Sequence, residues 1–600
     1  MVTVARLLEA LPHTRRFDAL REMHANAPWN RRPEVEGTPA DGWDQDGSGL
    51  RPLYVLYGSE TGNGEELAHG VAREAAIGHG LTPRVLSLAQ VTPQHLEAIT
   101  DAVFLMSTTG LGDPALDAED FVEALNSEQA PRLENLRFGV LALGDKVYPD
   151  FCAPGKALDA RLEALGAARV VDLHTCDVDY EVEATRWLRG AGDRFDDLVE
   201  SGGEDADGAA ADVFADVPAS DRASRRHVFH PAILEAVRIL SDADREREIT
   251  HYTLALPEDL QEQWQAGDSV DVLLPNDPEL VTAILDHLRI DPATEVAELG
   301  LGIEEVLRTQ LELRDLPLTL LENFAGSDPS GELAGLLADE DSVEGAARLA
   351  QWRYGRDLLA VLHAVPGARP SAEELVALLR PLQPRSYSIA SSPVVDRRVV
   401  DLTVRTIRYD LDGRELEGTA SGALAQRVRV GEQVPVRLRP APAFHLPEDP
   451  SADVVMVGPG VGIAPFRGFL QEREVRGDTG RSWLLCGVRD PEQDGLYLEE
   501  FIALRERGVL TELDVAASRV ADAEVQGKYV QHVIERRGEE IIGWLQDGAV
   551  FYVCGDAAAM APAVRAAIRG AAAEGLGGEA AAAAFLAELD AERRYRQDVY

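Results

Sequence analysis

Lysine is nearly missing from this chain. Only Lys146, Lys156 and Lys528 stand among 58 basic residues, against 104 acidic ones, and the formal net charge is −46. Such a surface repels nucleic acid and anionic membranes, which are excluded as partners. Cysteine is scarce too: Cys152, Cys176, Cys486 and Cys554 lie far apart, with no C-x-x-C pair. That spacing argues against a disulfide framework, a zinc site or an iron–sulfur cluster, so no metal site is assigned. Without ligands for a haem- or cluster-type centre, any terminal reduction chemistry is expected on a partner. No stretch approaches the roughly 20 apolar residues of a spanning helix. The apolar run in MVTVARLLEALPHTRRF is too short and interrupted for a signal peptide, so the cytoplasm is the expected compartment.

The acidic excess has two readings, a docking face for a basic redox partner or adaptation of the whole surface to high salt. Residues 52–200 carry 11 basic and 26 acidic side chains, only a slight enrichment over the chain as a whole, which favours the second.

Six hundred residues exceed a single core, and about 150 residues per domain implies three or four units. Residues 1–50 form an extension with one candidate amphipathic helix (Val4, Leu7, Leu8, Leu11, Phe17, Leu20). Residues 51–200 alternate apolar runs (LYVLY, RVLSL, AVFLM, FGVLAL, VVDL) with helical stretches, the pattern of a doubly wound parallel sheet. Residues 201–225 are an acidic, Ala/Gly-rich linker whose composition permits swinging. Residues 226–450 read as a β-barrel interrupted by a helical insertion at about 276–375. Residues 451–600 read as a second parallel α/β unit, with runs DVVMV, SWLLCGV, LTELDVAAS and AVFYVCGD. The fold class is therefore multidomain α/β.

The loop Gly58-Ser59-Glu60-Thr61-Gly62-Asn63, continuing into Gly64, follows a predicted strand and opens a helix. Its glycines let amides turn inward, and Ser59 and Thr61 add hydroxyl donors. It lacks the lysine of a nucleotide-hydrolase loop, and a monophosphate such as that of FMN fits it. Ser107-Thr108-Thr109-Gly110 follows the third strand, and Leu143-Gly144-Asp145, with Tyr148, Phe151 and Cys152, follows the fourth. In open α/β sheets such loops converge beyond the strands' carboxyl ends; Tyr148 is placed to stack on a flavin ring. Further on, Gly458-Pro459-Gly460 after DVVMV offers a dinucleotide a close backbone approach.

The three loops resemble the flavodoxin family. Arg385-Ser386-Tyr387-Ser388 and Gly418-Thr419-Ala420-Ser421 are similar to the FAD signatures of the ferredoxin–NADP reductase family. The resemblance implies pyrophosphate contacts for Arg385 and the 418–421 helix start, stacking for Tyr387, and a flavin and adenosine lining from Thr403, Val404, Arg405 and Tyr409. It implies a 2′-phosphate pocket in Ser518, Arg519, Lys528, Tyr529 and Gln531, hence NADPH over NADH. It also implies that Ser388, Cys554 and Asp598 surround the nicotinamide C4 and flavin N5, and that Tyr600 covers the FAD face. That family's usual threonine after the second glycine is Val461 here. Cys554 has a plainer explanation as a small buried strand residue.

In this order the motifs resemble the diflavin reductases, within them those serving assimilatory NADPH–sulfite reductase. LENLRFGVLALGDKVYPDFCAPGKALDARLEALGAARVVD, LRPLQPRSYSIASS and FLAELDAERRYRQDVY carry that likeness. It implies FMN, FAD and NADPH as cofactors and an electron path in that reverse order. It implies a sirohaem and iron–sulfur haemoprotein subunit as partner, which takes sulfite to sulfide; a homo-oligomer stays open. The competing enzyme reading is a reductase for a haem-thiolate monooxygenase or other haemoprotein; the microsomal ones usually carry an N-terminal anchor and end in tryptophan, neither of which is expected here. A non-catalytic flavin-binding electron carrier would explain the 58–63 loop, but not Ser388, Cys554, Asp598 and Tyr600 together.

Overall fold

The computed structural model describes residues 52–59, 82–109, 112–144, 151–195, 229–241 and 248–600, with Gly64, Leu67 and Ala68, less 521–527 and a few positions within those spans. The candidate helix near the start and the 201–225 linker lie outside the described residues. The described chain forms two compact units. One joins Phe229–Asp277 to Pro384–Tyr600, and the other contains the first sheet and Pro278–Gln383.

The first sheet is built from β1 (Pro52–Gly58), β2 (Thr82–Ser87), β3 (Asp101–Thr109), β4 (Asp113–Pro114), β5 (Arg137–Leu143), β6 (Ala168–Arg169) and β7 (His174–Cys176). Its order is β2-β1-β3-β5-β6, parallel throughout, with β4 antiparallel on β3 and β7 parallel on β5. Alternation along each strand sends Tyr54, Leu56, Phe104 and Val140 into one core and Val55, Val103, Leu105 and Leu141 into the other, as a sheet covered on both faces requires. Helices α1 (Glu119–Asn126) and α2 (Ala153–Ala164) belong to this part. The run VVDL is not the fifth strand. The Val170 and Val171 amides both turn to Phe138 O, at 2.9 and 3.4 Å, while Val171 packs over Gly139. That bulge splits the pairing into β6 and β7 on either side.

Seven helices lie between Pro278 and Leu378 among the described residues, around their own leucine-rich core. They interrupt an antiparallel six-stranded sheet made of β8 (His230–Ile239), β9 (Ile249–Ala255), β10 (Ser269–Val272), β13 (Arg385–Ser388), β14 (Val399–Arg405) and β17 (Gln433–Arg439); the short pairs β11 (Glu295–Val296) with β12 (Leu301–Gly302), and β15 (Arg408–Leu411) with β16 (Arg414–Glu417), stand apart. The order is β13-β10-β17-β8-β9-β14. Ile389, just past β13, bridges Leu402 in β14, and the Ala390 amide donates to Asp401 O at 2.7 Å. The two edges therefore meet and the sheet closes. Helix α3 (Thr419–Gln426) packs Ala423 and Leu424 into its core.

The last sheet is parallel, β20-β19-β18-β21-β22, from β18 (Val454–Pro459), β19 (Ser482–Val488), β20 (Glu512–Ala517), β21 (Val550–Gly555) and β22 (Tyr595–Val599). Helices α4 (Ala464–Arg476) and α5 (Leu498–Glu506) follow β18 and β19. No helix among the described residues is long and apolar enough to cross a membrane.

Candidate functional site

Strands β1, β3 and β5 lie side by side and parallel, so the loops after Gly58, Thr109 and Leu143 leave one edge of the sheet. Of the candidates there, Glu60, Thr61, Gly62, Asn63, Gly110, Asp145, Tyr148 and the side chain of Thr109 lie outside the described residues. Ser59 is buried, and its Oγ accepts from the Gly64 amide at 3.0 Å. A Cβ at Gly64 would come within 3.3 Å of Ser107 Oγ, so the first two loops touch. Among the described residues Thr108 Oγ1 is buried without a hydrogen-bond partner, which fits a phosphate or flavin polar atom. A Cβ at Gly144 would meet the Cys152 amide at 2.9 Å and the Phe151 ring at 3.2 Å. The base of the third loop is thus pinched shut. The Cys152 thiol turns inward to Ala142 O and Cys176 O, leaving its backbone as what it offers a ligand.

Asp117 was invisible in the sequence, one acid among many. Its buried carboxylate accepts the Ser59 amide at 2.8 Å and the Ser87 hydroxyl at 2.9 Å, tying the start of the 58–63 loop to the end of β2. The Ser59 amide is consequently spent on protein. Replacing Asp117 with alanine orphans that amide at about 1–3 kcal/mol. The expected result is FMN binding weakened roughly tenfold or more, read as released-flavin fluorescence, with FAD retained. Asp117→Asn, which keeps an acceptor, should hold FMN; full FMN content in Asp117→Ala would remove this role.

In the other unit a cavity of about 1190 Å³ opens between the closed sheet and the last one. One wall is Arg385, Ser386, Tyr387 and Ser388 of β13, Thr403, Val404 and Arg405 of β14, and Gly418, Thr419, Ala420 and Ser421 at the start of α3. The opposite wall includes Gly460, Ser518, Arg519, Lys528, Tyr529 and Gln531, and Tyr600 also faces the space. Thr419 Oγ1, at the amino end of α3, is buried and, among the described residues, unpartnered. That donor set suits an anion. Among the described residues neither Arg519 nor Lys528 has an ion-pair partner, in a chain with 104 carboxylates. Lys528 Nζ stands 5.5 Å from the Tyr529 ring centroid.

Four candidates are not on the cavity wall. Tyr409 sits in the β15–β16 hairpin, whose strands pair only with each other. Gly458 packs beneath, where a Cβ would lie 2.4 Å from Gly462 O; one at Gly462 would lie 2.1 Å from Cys554 O. These glycines let the turn after β18 press against β21. Cys554 and Asp598 are register neighbours in β21 and β22, just behind the wall. Ser388, which is on the wall, donates to Asp598 Oδ2 at 2.5 Å, and the Cys554 thiol points to the same oxygen at 3.6 Å. Burial pushes the Asp598 carboxyl above the usual range although Ser388 and Cys554 pull it down. Burial, then Asp598, holds the Cys554 thiol well above its ordinary value, so it stays a protonated donor. The Tyr600 amide donates to Gly555 O at 3.0 Å, extending the β22 pairing and leaving the residue at the cavity.

Arg489 and Asp490, which no motif marks, also line the cavity just past β19. The rule that ligands sit beyond parallel strands' carboxyl ends would have found them.

Family models match in the same order: flavodoxin at residues 55–187, FAD binding domain at 222–422, and oxidoreductase NAD-binding domain at 456–566. These modules give FMN, FAD and NADPH as the cofactors. Three curated relatives carry the name sulfite reductase (NADPH) flavoprotein alpha-component. That of Bacillus subtilis is 37% identical, over 94% of this chain and 93% of its own length. That of a Shewanella species (strain MR-4) is 36% identical over 92% and 91%, and that of Vibrio vulnificus 35% over 91% and 87%. An NADPH-dependent diflavin oxidoreductase, the chain belongs to the family of sulfite reductase (NADPH) flavoprotein alpha-components.

Proposed function

We propose that this chain is the electron-delivering component of an assimilatory sulfite reductase, working in the cytoplasm and passing electrons to a haemoprotein subunit that carries sirohaem and an iron–sulfur cluster. The observation that carries the reading is the single cavity whose two walls hold the two sets of candidate residues, with Ser388 joining one wall to Asp598. When bound there, NADPH and FAD would supply hydride chemistry, and FMN held in the first sheet would supply one-electron relay.

The chain's own residues bind and orient. Arg385 and the amino end of α3, with Thr419, hold the FAD pyrophosphate; Tyr387, Thr403, Val404 and Arg405 line the flavin and adenosine. Arg519 and Lys528 take the 2′-phosphate, with Ser518, Tyr529 and Gln531 around it. Ser388 orients the donor and acceptor rings from the wall, held by Asp598 behind it, which also takes the Cys554 thiol; the high proton affinity of Cys554 suits a donor, not a nucleophile. Tyr600 covers the flavin face until the nicotinamide arrives. In the first sheet Ser59, Gly64, Ser107 and Thr108 hold FMN. Four free, buried cysteines accord with a reducing compartment.

The test is recovery of the partner from an extract of the source cells with this chain as bait, followed by NADPH-driven reduction of sulfite. Sulfide production with a sirohaem protein in the eluate is the expected result. Brisk cytochrome c reduction without sulfide would keep the diflavin path and discard the sulfite assignment.

A further inference from the structure

Behind the cavity, a chain of buried polar groups crosses from the closed sheet to the last one and meets at a single side chain. Tyr497 follows Leu496, which lines the cavity, and precedes α5. Its hydroxyl lies 2.8 Å from Thr403 Oγ1 and 2.8 Å from His251 Nδ1, partners on β14 and β9. All three side chains are buried. His251 Nε2 stands 3.2 Å from Thr253 Oγ1 and 3.4 Å from Asp401 Oδ1. Thr253 Oγ1 donates to the same Asp401 oxygen at 2.8 Å. Arg467 of α4 then spans Asp401 Oδ2 at 2.8 Å and Glu500 Oε2 at 2.9 Å, with its guanidinium 4.9 Å from the Tyr497 ring centroid. Arg238 lies on the ring as well, at 5.6 Å.

The hydrogen bonds form one continuous series. Burial opposes charge on Asp401, yet His251, Arg467 and Thr253 hold its carboxyl at about 2, so it is an acceptor. Thr253 links it to His251, and the Tyr497 hydroxyl bridges His251 Nδ1 and Thr403 Oγ1. The backbone pays for the arrangement: Tyr497 has φ 53° and ψ 13°, the left-handed region that a side chain with a Cβ disfavours. Such a conformation persists where surrounding contacts over-determine it, as they do here.

Thr403 belongs to one wall of the cavity and Leu496 to the other, as do Val488, Arg489 and Asp490 at the start of the same connection. We propose that Tyr497 is a positioning residue for transfer between nicotinamide and flavin, its hydroxyl tying the β19–α5 connection to β9 and β14 and so fixing the gap between the two walls. It touches neither ligand and acts through Thr403 and the connection it anchors. The inference rests on the cofactor placement proposed above.

Tyr497→Phe tests it, because phenylalanine keeps the ring, its burial and the stacked guanidiniums and removes only the hydroxyl. His251→Leu removes the hydroxyl's partner on β9, off the cavity wall, and serves if the first variant folds poorly. Both flavins should stay bound, and the Kd for NADP⁺ should change less than about twofold, because Arg519 and Lys528 are untouched. The change in flavin absorbance that NADP⁺ binding produces should lose more than half its amplitude, and reduction of FAD by NADPH should slow about tenfold or more, the scale of a small misplacement. A full-amplitude absorbance change with an unaltered rate in Tyr497→Phe would overturn the tie. So would a parallel loss of rate and NADP⁺ affinity, which marks general loosening. Wild-type protein showing neither response would remove the functional reading and this inference with it.

Discussion

Asp598→Ala should slow the reduction of FAD by NADPH about a hundredfold, the cost expected when reacting groups are held but misaligned. Both flavins should remain, since Asp598 is not on the cavity wall and neither proposed phosphate site includes it. One oxygen, Oδ2, collects both the Ser388 hydroxyl and the Cys554 thiol, so removing the carboxylate releases two donors at once. Asp598→Asn retains an acceptor and should lose less. The pH profile separates orientation by a charged acceptor from simple packing. Burial raises the proton affinity of Asp598 in the folded protein, so the wild-type rate should fall toward acid with a limb above the ordinary carboxylate range, and Asp598→Asn should lack that limb. Stability runs the other way. The folded state binds this proton more tightly than the unfolded chain, so the contribution is present at low pH and is lost as pH rises through the raised value. Stopped-flow traces in which Asp598→Ala matches wild type would discard the assignment.

Arg519→Ala with Lys528→Ala should raise KM for NADPH about a hundredfold and leave that for NADH within a few-fold. A hydrogen bond to a charged group contributes about 1.5–3 kcal/mol; two solvent-facing contacts, discounted for screening, give about 3 kcal/mol, or roughly a hundredfold. The scarcity of lysine sharpens the expectation. Lys528 is the only lysine beyond Lys156, and it stands on the cavity wall with Arg519 and without a carboxylate partner among the described residues. Added salt should erode the preference for NADPH in wild type and do little to the double variant. Equal rises for NADH and NADPH would show that the two cations serve the adenosine or pyrophosphate, which both nucleotides share.

What could be read from the sequence was local. β13 and the start of α3 carry their motifs in four consecutive residues each, and both reach the wall of one cavity. Strand patterns located β18, β19 and β21 because each is a nearly continuous apolar run in a sheet buried on both faces, and edge strand β20 because Leu513 and Val515 alternate with Glu512 and Asp514. Relations between distant residues were not legible. Asp117 meets a residue 58 positions away, and Tyr497 meets residues 94 and 246 positions away. Neither has a local pattern, and the left-handed turn at Tyr497 is one that a sequence rule assigns to glycine or asparagine. VVDL failed as a strand for a related reason. Its bulge is set by Gly139 on the neighbouring strand, not by anything within the run. The glycines after β18 were read as room for a ligand, whereas Gly458 and Gly462 make room for protein.

The place where seven helices interrupt the closed sheet has a consequence for how the protein is made. β10 and β13 are hydrogen-bonded neighbours, Val272 opposite Arg385 and Ser269 opposite Ser388, yet the whole segment Pro278–Gln383 lies between them in the chain. At about 5–20 residues per second on the ribosome, β10 waits on the order of ten seconds for its partner, exposing an unpaired strand edge of the kind that invites wrong pairings. The intervening helices have a core of their own, built from local contacts, and collapse there would shorten the effective span to be closed. The segment then acts as a folding spacer. The cavity wall that contains β13 and β14 is assembled only after it has emerged, so a nascent chain released early carries the first sheet complete and the cavity unbuilt.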